Sequence, residues 1–371
     1  MDFSLNDMQA MLGESIDRFI ANEYDFETRQ AHAASERGFS PAVWQTFAEL
    51  GWTVVPFAEA DGGFDGTAVD LMVVMERLGR GLVVEPYLPN LVLAGGVLKR
   101  TATDAQRARW LQPLIGGERH AALAFAEPHA RYGIGDIRTV ARADGDGWRI
   151  SGDKTYVLNA RNAHDIVVPA RVGDPSGDVG LFVVERAATG LEILDYPTVD
   201  GLQAADLRLR DVAVGADARL GAGDDALSVL ETVVDEAILA VCAEAVGILQ
   251  VLVDKTVDYS KNRVQFGVPI GSFQALQHRM VDMLTGLEQT RSLLWWATMT
   301  YAEGGDDAKR AVSAVKYQVG TTGRRIAEEA VQLHGGMGVT WELDVAHYFK
   351  RLIAIGRVFG DADWHLDKLA G

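Results

Sequence analysis

Cysteine is almost absent: the 371-residue sequence holds one, Cys242. A single cysteine cannot form a disulfide within the chain, so no disulfide framework supports the fold, and a reducing compartment fits. The eight histidines are scattered without metal-ligand spacing, and no metal site is expected. No strand-like run leads into G-x-G-x-x-G, and G-x-S-x-G, H-E-x-x-H and the P-loop are all missing. A Rossmann nucleotide site is therefore not indicated. Positive charge is short as well: 35 Lys+Arg against 52 Asp+Glu give a net charge of −17. Such a surface repels nucleic-acid phosphate and anionic lipid, so neither is an expected partner. An anionic ligand would need a local basic patch. The first residues, Met1-Asp2-Phe3-Ser4-Leu5, carry no basic region followed by an apolar one. No signal peptide is expected, and the location expected is cytoplasmic. The apolar stretch 237–253 is interrupted by Glu244 and Gln250 and reads as a buried helix, not a membrane span.

What is present is ordinary globular composition, 48% hydrophobic and 23% charged. The length suits two or three packed units. The hydrophobic period changes twice. Met8, Met11, Leu12, Ile16, Phe19 and Ile20 recur at helical spacing, and Ser40-Pro41 opens another helix carrying Trp44 and Phe47. From about His120 the texture turns to short β-type runs separated by turn residues. Asp144-Gly145-Asp146-Gly147 is a hairpin signal among them. Strands at this spacing predict a small sandwich or barrel. From Asp225 onward, long helices return, enough for a bundle. The expected domains are 1–119 helical, 120–222 β and 223–371 a helical bundle.

Four segments carry chemistry. Ala126-Glu127-Pro128 leaves a strand and enters a loop that continues to Gly133-Ile134-Gly135-Asp136; such loops present backbone N–H groups to anions or flavin rings, though a structural loop is the plainer reading. Lys154-Thr155-Tyr156-Val157-Leu158-Asn159-Ala160 sets an aromatic among small and polar residues, able to pack on a planar ring or in a β core. The run Arg263 to Gln274 ends a helix in basic residues, turns at Gly267-Val268-Pro269 and starts a new helix. Arg263 there either complements a helix dipole or grips a phosphate bidentately. Gln332-Leu333-His334-Gly335-Gly336-Met337-Gly338 is either a helix cap and turn or a place where a pyrophosphate comes close to backbone.

In this order the four segments resemble the acyl-CoA dehydrogenase family. The family pattern R-x-x-F-G-x-x-I-x-x-F-Q is complete from Arg263 to Gln274, and Q-x-x-G-G-x-G is complete from Gln332 to Gly338. T-E-P-x-A-G-S-D survives as Ala126-Glu127-Pro128 and a degenerate Gly135-Asp136. K-x-W-I-T-N-A survives as Lys154 to Ala160, with Tyr156 for Trp and Leu158 for Thr. The resemblance spans essentially the whole chain. It implies an N-terminal helical domain, a central β domain and a C-terminal four-helix bundle, assembled as a homo- or heterotetramer with FAD at a subunit interface. It implies α,β-desaturation of an acyl-CoA thioester, in which a carboxylate removes the α-proton and the β-hydrogen leaves as hydride to the flavin. An electron-transfer flavoprotein is the implied acceptor. Arg263, Phe266, Gln332, Gly335 and Gly336 are the implied contacts at the adenine and pyrophosphate end of FAD. Ala126, Tyr156 and Leu158 are those toward the flavin ring.

The catalytic base departs from the pattern. Many members carry it in Y-E-G-T near the C-terminus; here the matching run is Phe359-Gly360-Asp361, with glycine in place of the glutamate. Other members place the base on the first helix of the bundle, where this chain has Asp235-Glu236. Glu236 is therefore the first candidate base and Asp361 the second. The intact pyrophosphate end and the altered ring end also fit a non-catalytic subunit that completes a partner's FAD site, as in the second subunits of bacterial heteromeric acyl-CoA dehydrogenases. A flavin oxidase or monooxygenase on the same fold is a further reading.

Overall fold

The computed structural model describes residues 4–221 and 225–370. The chain divides into two compact units. One comprises Met1–Ala31, Thr67–Val83 and Ile238–Gly371; the other comprises His32–Gly66 and Val84–Ala237. Contacts, not sequence order, set this grouping, because the helices Asp7–Glu23 and Ala68–Arg80 pack with the C-terminal helices.

The first unit is helical. Its spine is the Ala226–Asn262 helix, whose first turns fall in the other unit. Val241, Cys242, Val246, Leu249 and Leu252 on it are fully buried. It is long and apolar enough to cross a membrane by composition alone, but it is a core helix here, most of its apolar stretch being buried inside the protein. The Ala68–Arg80 helix crosses it backbone to backbone. A Cβ on Gly247 would overlap the Glu76 carbonyl, and one on Gly79 would overlap that of Glu244, so only glycine permits this approach. The helices Gln274–Glu303, Asp307–Gln318, Arg324–His334, Val345–Ile355 and Ala362–Ala370 complete the unit. Its charged groups are paired where they are buried. Arg351 grips Glu244 bidentately at 2.6 and 2.7 Å, the geometry that lets two ions leave water together.

The second unit is built on a mixed sheet. Its strands are β1 (Ala121–Leu123), β2 (Val140–Asp144), β3 (Gly147–Leu158), β4 (Asp165–Val172), β5 (Val179–Glu185), β6 (Leu191–Pro197), β7 (Gln203–Val214) and β8 (Arg219–Leu220). They run in the order β6-β7-β3-β2-β4-β5-β8, with β1 added parallel to β4. The other pairs are antiparallel except β2 with β4. The Asp144–Gly147 turn joins β2 to β3 as its residues predict. Ile150, Val157, Ile166, Phe182, Leu207 and Leu209 form the dry core. Trp148 closes it edge-on to Phe182 at 5.4 Å. Two helix starts follow their sequence signals: Ser40 caps Pro41–Glu49 through Val43 N–H, and Thr103 with Gln106 forms a capping box.

Candidate functional site

The first two motif segments meet inside the sheet unit. Glu127 is 3% exposed, and its carboxylate accepts from Arg138 N–H (2.9 Å), Thr139 N–H (3.1 Å), the Thr139 hydroxyl (2.6 Å) and Lys154 Nζ (2.7 Å). Lys154 is wholly buried and also donates to the Pro169 carbonyl at 2.8 Å. Burial opposes the charge on Glu127, but Lys154 and the other donors outweigh it and hold the carboxyl below its usual range. Burial pushes Lys154 down to about 8, against the pull of Glu127. The pair is thus ionised at neutral pH. The glutamate of one motif and the lysine of the other have a structural task, to lock the segments together.

That lock sets the residues expected near a flavin ring. Thr155 N–H donates to the Ala126 carbonyl at 3.0 Å. The register of β3 slips between Lys154 and Val157, and Tyr156 occupies the bulge with φ of 51°. Asp206 fixes the bulge by accepting from the Thr155 hydroxyl (2.7 Å), Tyr156 N–H (3.2 Å) and the Tyr196 hydroxyl (3.2 Å). Tyr156 is exposed while Leu158 and Ala126 are half-buried, so all three border the surface. Asn159, the end of the motif, turns inward and donates to Asn90 Oδ1 at 3.1 Å.

The third and fourth segments meet in the helical unit. The Ala226–Asn262 helix ends just before Arg263, and a two-stranded ribbon, Val264–Gln265 with Val268–Pro269, carries the chain to the next helix. Phe266 stands at its tip with φ of 55° and 92% of its surface exposed. Arg263 is exposed, and among the described residues its guanidinium has neither a hydrogen bond nor an ion pair. Tyr259, one turn before it, stacks at 4.5 Å on His334, which lies between Gln332 and Gly335. This contact ties the two segments together. Gln332, Gly335 and Gly336 are exposed, and beside the two glycines a Cβ would meet nothing.

The candidate bases are placed differently. Glu236 lies 2.5 Å from Arg100 Nη2 and 3.9 Å from Lys99 Nζ, with 17% of its side chain exposed. Arg100 also donates to the Gly96 carbonyl at 2.9 Å. Asp361 is 8% exposed, accepts from Trp364 N–H at 3.0 Å and pairs with Arg357 at 3.2 Å. Gly360 has no side chain to offer. Sequence reasoning missed Arg100, Lys154, Asp206 and Lys316 as organisers. A signal for Lys316 was available, since it follows the apolar run Ala311-Val312-Ser313-Ala314-Val315 on one helix.

Three family profiles cover the chain: acyl-CoA dehydrogenase N-terminal domain over residues 6–118, middle domain over 122–212 and C-terminal domain over 227–370. A probable acyl-CoA dehydrogenase of Bacillus subtilis, YngJ, is 29% identical over 366 residues, 96% of each chain. A chain of the ChsE4-ChsE5 complex from Mycobacterium tuberculosis superposes with a TM-score of 0.90 at 26% identity, covering 100% of this chain and 98% of that one. The FAD complex of PigA gives a TM-score of 0.92 at 25% identity, covering 100% and 98%. With the helical and sheet architecture and the two complete motifs, these matches show that the chain belongs to the acyl-CoA dehydrogenase family, flavoprotein oxidoreductases that use FAD.

Proposed function

We propose that this chain is a supporting subunit of a heteromeric acyl-CoA dehydrogenase, completing a partner's FAD site without supplying the base. The observation that carries this reading is the state of the carboxylates. Glu236 is held by Arg100 and Lys99, and Asp361 caps a helix and pairs with Arg357. A base for a thioester α-proton must be free to take a proton, and an adjacent cation lowers its basicity.

The other half of the machinery is available. Arg263 is unpaired among the described residues and suits a pyrophosphate oxygen, to which it can donate a charge-assisted fork. Phe266 offers an exposed ring, Gln332 an exposed amide, and Gly335 and Gly336 an open backbone surface. These residues would hold the adenine and pyrophosphate end of FAD. Ala126, Tyr156 and Leu158 would border the flavin ring, with tyrosine and leucine in place of the family's tryptophan and threonine. FAD, when bound, accepts the β-hydrogen of an acyl-CoA as hydride. This chain's residues orient and retain it, while the partner's carboxylate removes the α-proton. Reduced heteromer passes its electrons to an electron-transfer flavoprotein.

The test is to purify the chain with and without the product of its neighbouring gene and measure bound flavin and its reduction by acyl-CoA esters. The heteromer is expected to hold FAD and be reduced, and the chain alone to hold little. A chain that alone binds FAD and is reduced by an acyl-CoA would overturn the reading in favour of a competent enzyme.

A further inference from the structure

Resting on the supporting-subunit reading, a stronger statement can be made about position 360, where family members carry glutamate. Gly360 has φ of 114°, a conformation that side chains rarely adopt. A Cβ there would lie 2.5 Å from Trp364 Cδ1 and 2.6 Å from His365 Nε2. Optimal carbon contacts lie at about 3.5–4.0 Å, so the clash is severe. Movement of His365 is restricted: it is 1% exposed, and its Nε2 is hydrogen-bonded to the Phe359 carbonyl at 3.1 Å.

The turn is held on its other side as well. Lys316, 0% exposed on the Asp307–Gln318 helix, donates from Nζ to the Gly360 carbonyl at 2.7 Å. Phe359 has φ of 60°. Asp361 accepts from Trp364 N–H, and its carbonyl accepts from His365 N–H at 3.1 Å, starting the Ala362–Ala370 helix. Three consecutive residues are therefore each fixed by a different partner, and a strained backbone persists only when its surroundings over-determine it in this way.

We infer that the Phe359-Gly360-Asp361 turn is closed to any side chain at position 360, positioned by Lys316 and sealed by Trp364 and His365. A carboxylate cannot be restored there by substitution. The number of flavins that an acyl-CoA can reduce in the heteromer is then set by the partner chains alone.

The experiment is a reductive titration of the assembled heteromer carrying Gly360→Glu, with Gly360→Ala, Lys316→Met and their double variant studied by thermal unfolding. The number of substrate-reducible flavins is expected to stay at the wild-type value in Gly360→Glu. Gly360→Ala is expected to lower the Tm by roughly 2 °C or more. Lys316→Met should cost less in the Gly360→Ala background than in the wild type, because both act on one turn. An additional flavin reduced in Gly360→Glu, or a Gly360→Ala heteromer as stable as wild type, overturns the inference. So does additivity of Gly360→Ala with Lys316→Met. Flavin content without acyl-CoA reports separately on the supporting-subunit reading, so the two can fail independently.

Discussion

The Lys154 ammonium and the Glu127 carboxylate meet at 2.7 Å in the interior of the sheet unit, 27 residues apart in sequence. Lys154→Met leaves a buried carboxylate with only neutral donors. Removing one partner of a buried pair typically costs about 3–5 kcal/mol. Urea unfolding should show a loss of that order, whereas a loss under about 1 kcal/mol would mean the pair is not desolvated. The carboxyl is held below its usual range, so its contribution is present above the unfolded value and lost as pH falls through the folded one.

His120 gives a second pH dependence. Asn90 Oδ1 accepts from Ala121 N–H (3.3 Å) and from Asn159 (3.1 Å), which directs its amide nitrogen toward His120 Nδ1 at 2.6 Å. That ring nitrogen must accept, so the imidazole is neutral. Burial pushes its pKa down to about 4, helped by His164 and Arg37. A lowered histidine leaves stability intact above the unfolded value near 6.5 and drains it as pH falls toward 4. The shift corresponds to roughly 3 kcal/mol. His120→Gln should flatten the Tm profile between those pH values; an unchanged slope would assign the acid sensitivity elsewhere.

Arg263→Ala tests the cofactor assignment. A charge-assisted hydrogen bond contributes about 1.5–3 kcal/mol, so the FAD dissociation constant of the heteromer should rise by roughly ten- to a hundredfold. Arg263→Lys should recover part of the loss as a point charge without the fork. Equal FAD affinity in all three proteins, measured by flavin fluorescence, would remove Arg263 from the site.

Glu236→Gln and Asp361→Asn test the base. In the heteromer, both are expected to leave the rate of flavin reduction by acyl-CoA within about a factor of two of wild type. A loss of a thousandfold in Glu236→Gln, with FAD and ester still bound, would return that residue to the role the resemblance first gave it. Asp361→Asn keeps an acceptor for Trp364 N–H but loses the ion pair with Arg357, so its main effect should be a small drop in Tm.

Local pattern was enough for the architecture. A helix such as Ala226–Asn262 or a hairpin such as β2–β3 is recorded by spacing and turn residues within a few positions, and these read correctly. The family was legible because Arg263 to Gln274 and Gln332 to Gly338 keep the residues that form one ribbon and one open turn. The sequence also showed that position 360 lacks a carboxylate.

What it could not show is how the remaining charges are spent. Arg100 and Glu236 are 136 residues apart, and Lys316 and the Gly360 carbonyl are 44 apart; neither pairing leaves a trace in periodicity. Glu236 read as a free carboxylate at the right place on a helix, and only the packing of the Gly95–Thr101 helix brings a guanidinium to it. Likewise, the letter at position 360 says that a side chain is missing, while the φ of that residue and the rings of Trp364 and His365 decide that none can return. Composition and period are properties of neighbouring residues. Ion pairing and steric closure depend on distances that exist only once the chain has folded, and the second set decided the chemistry open to this protein.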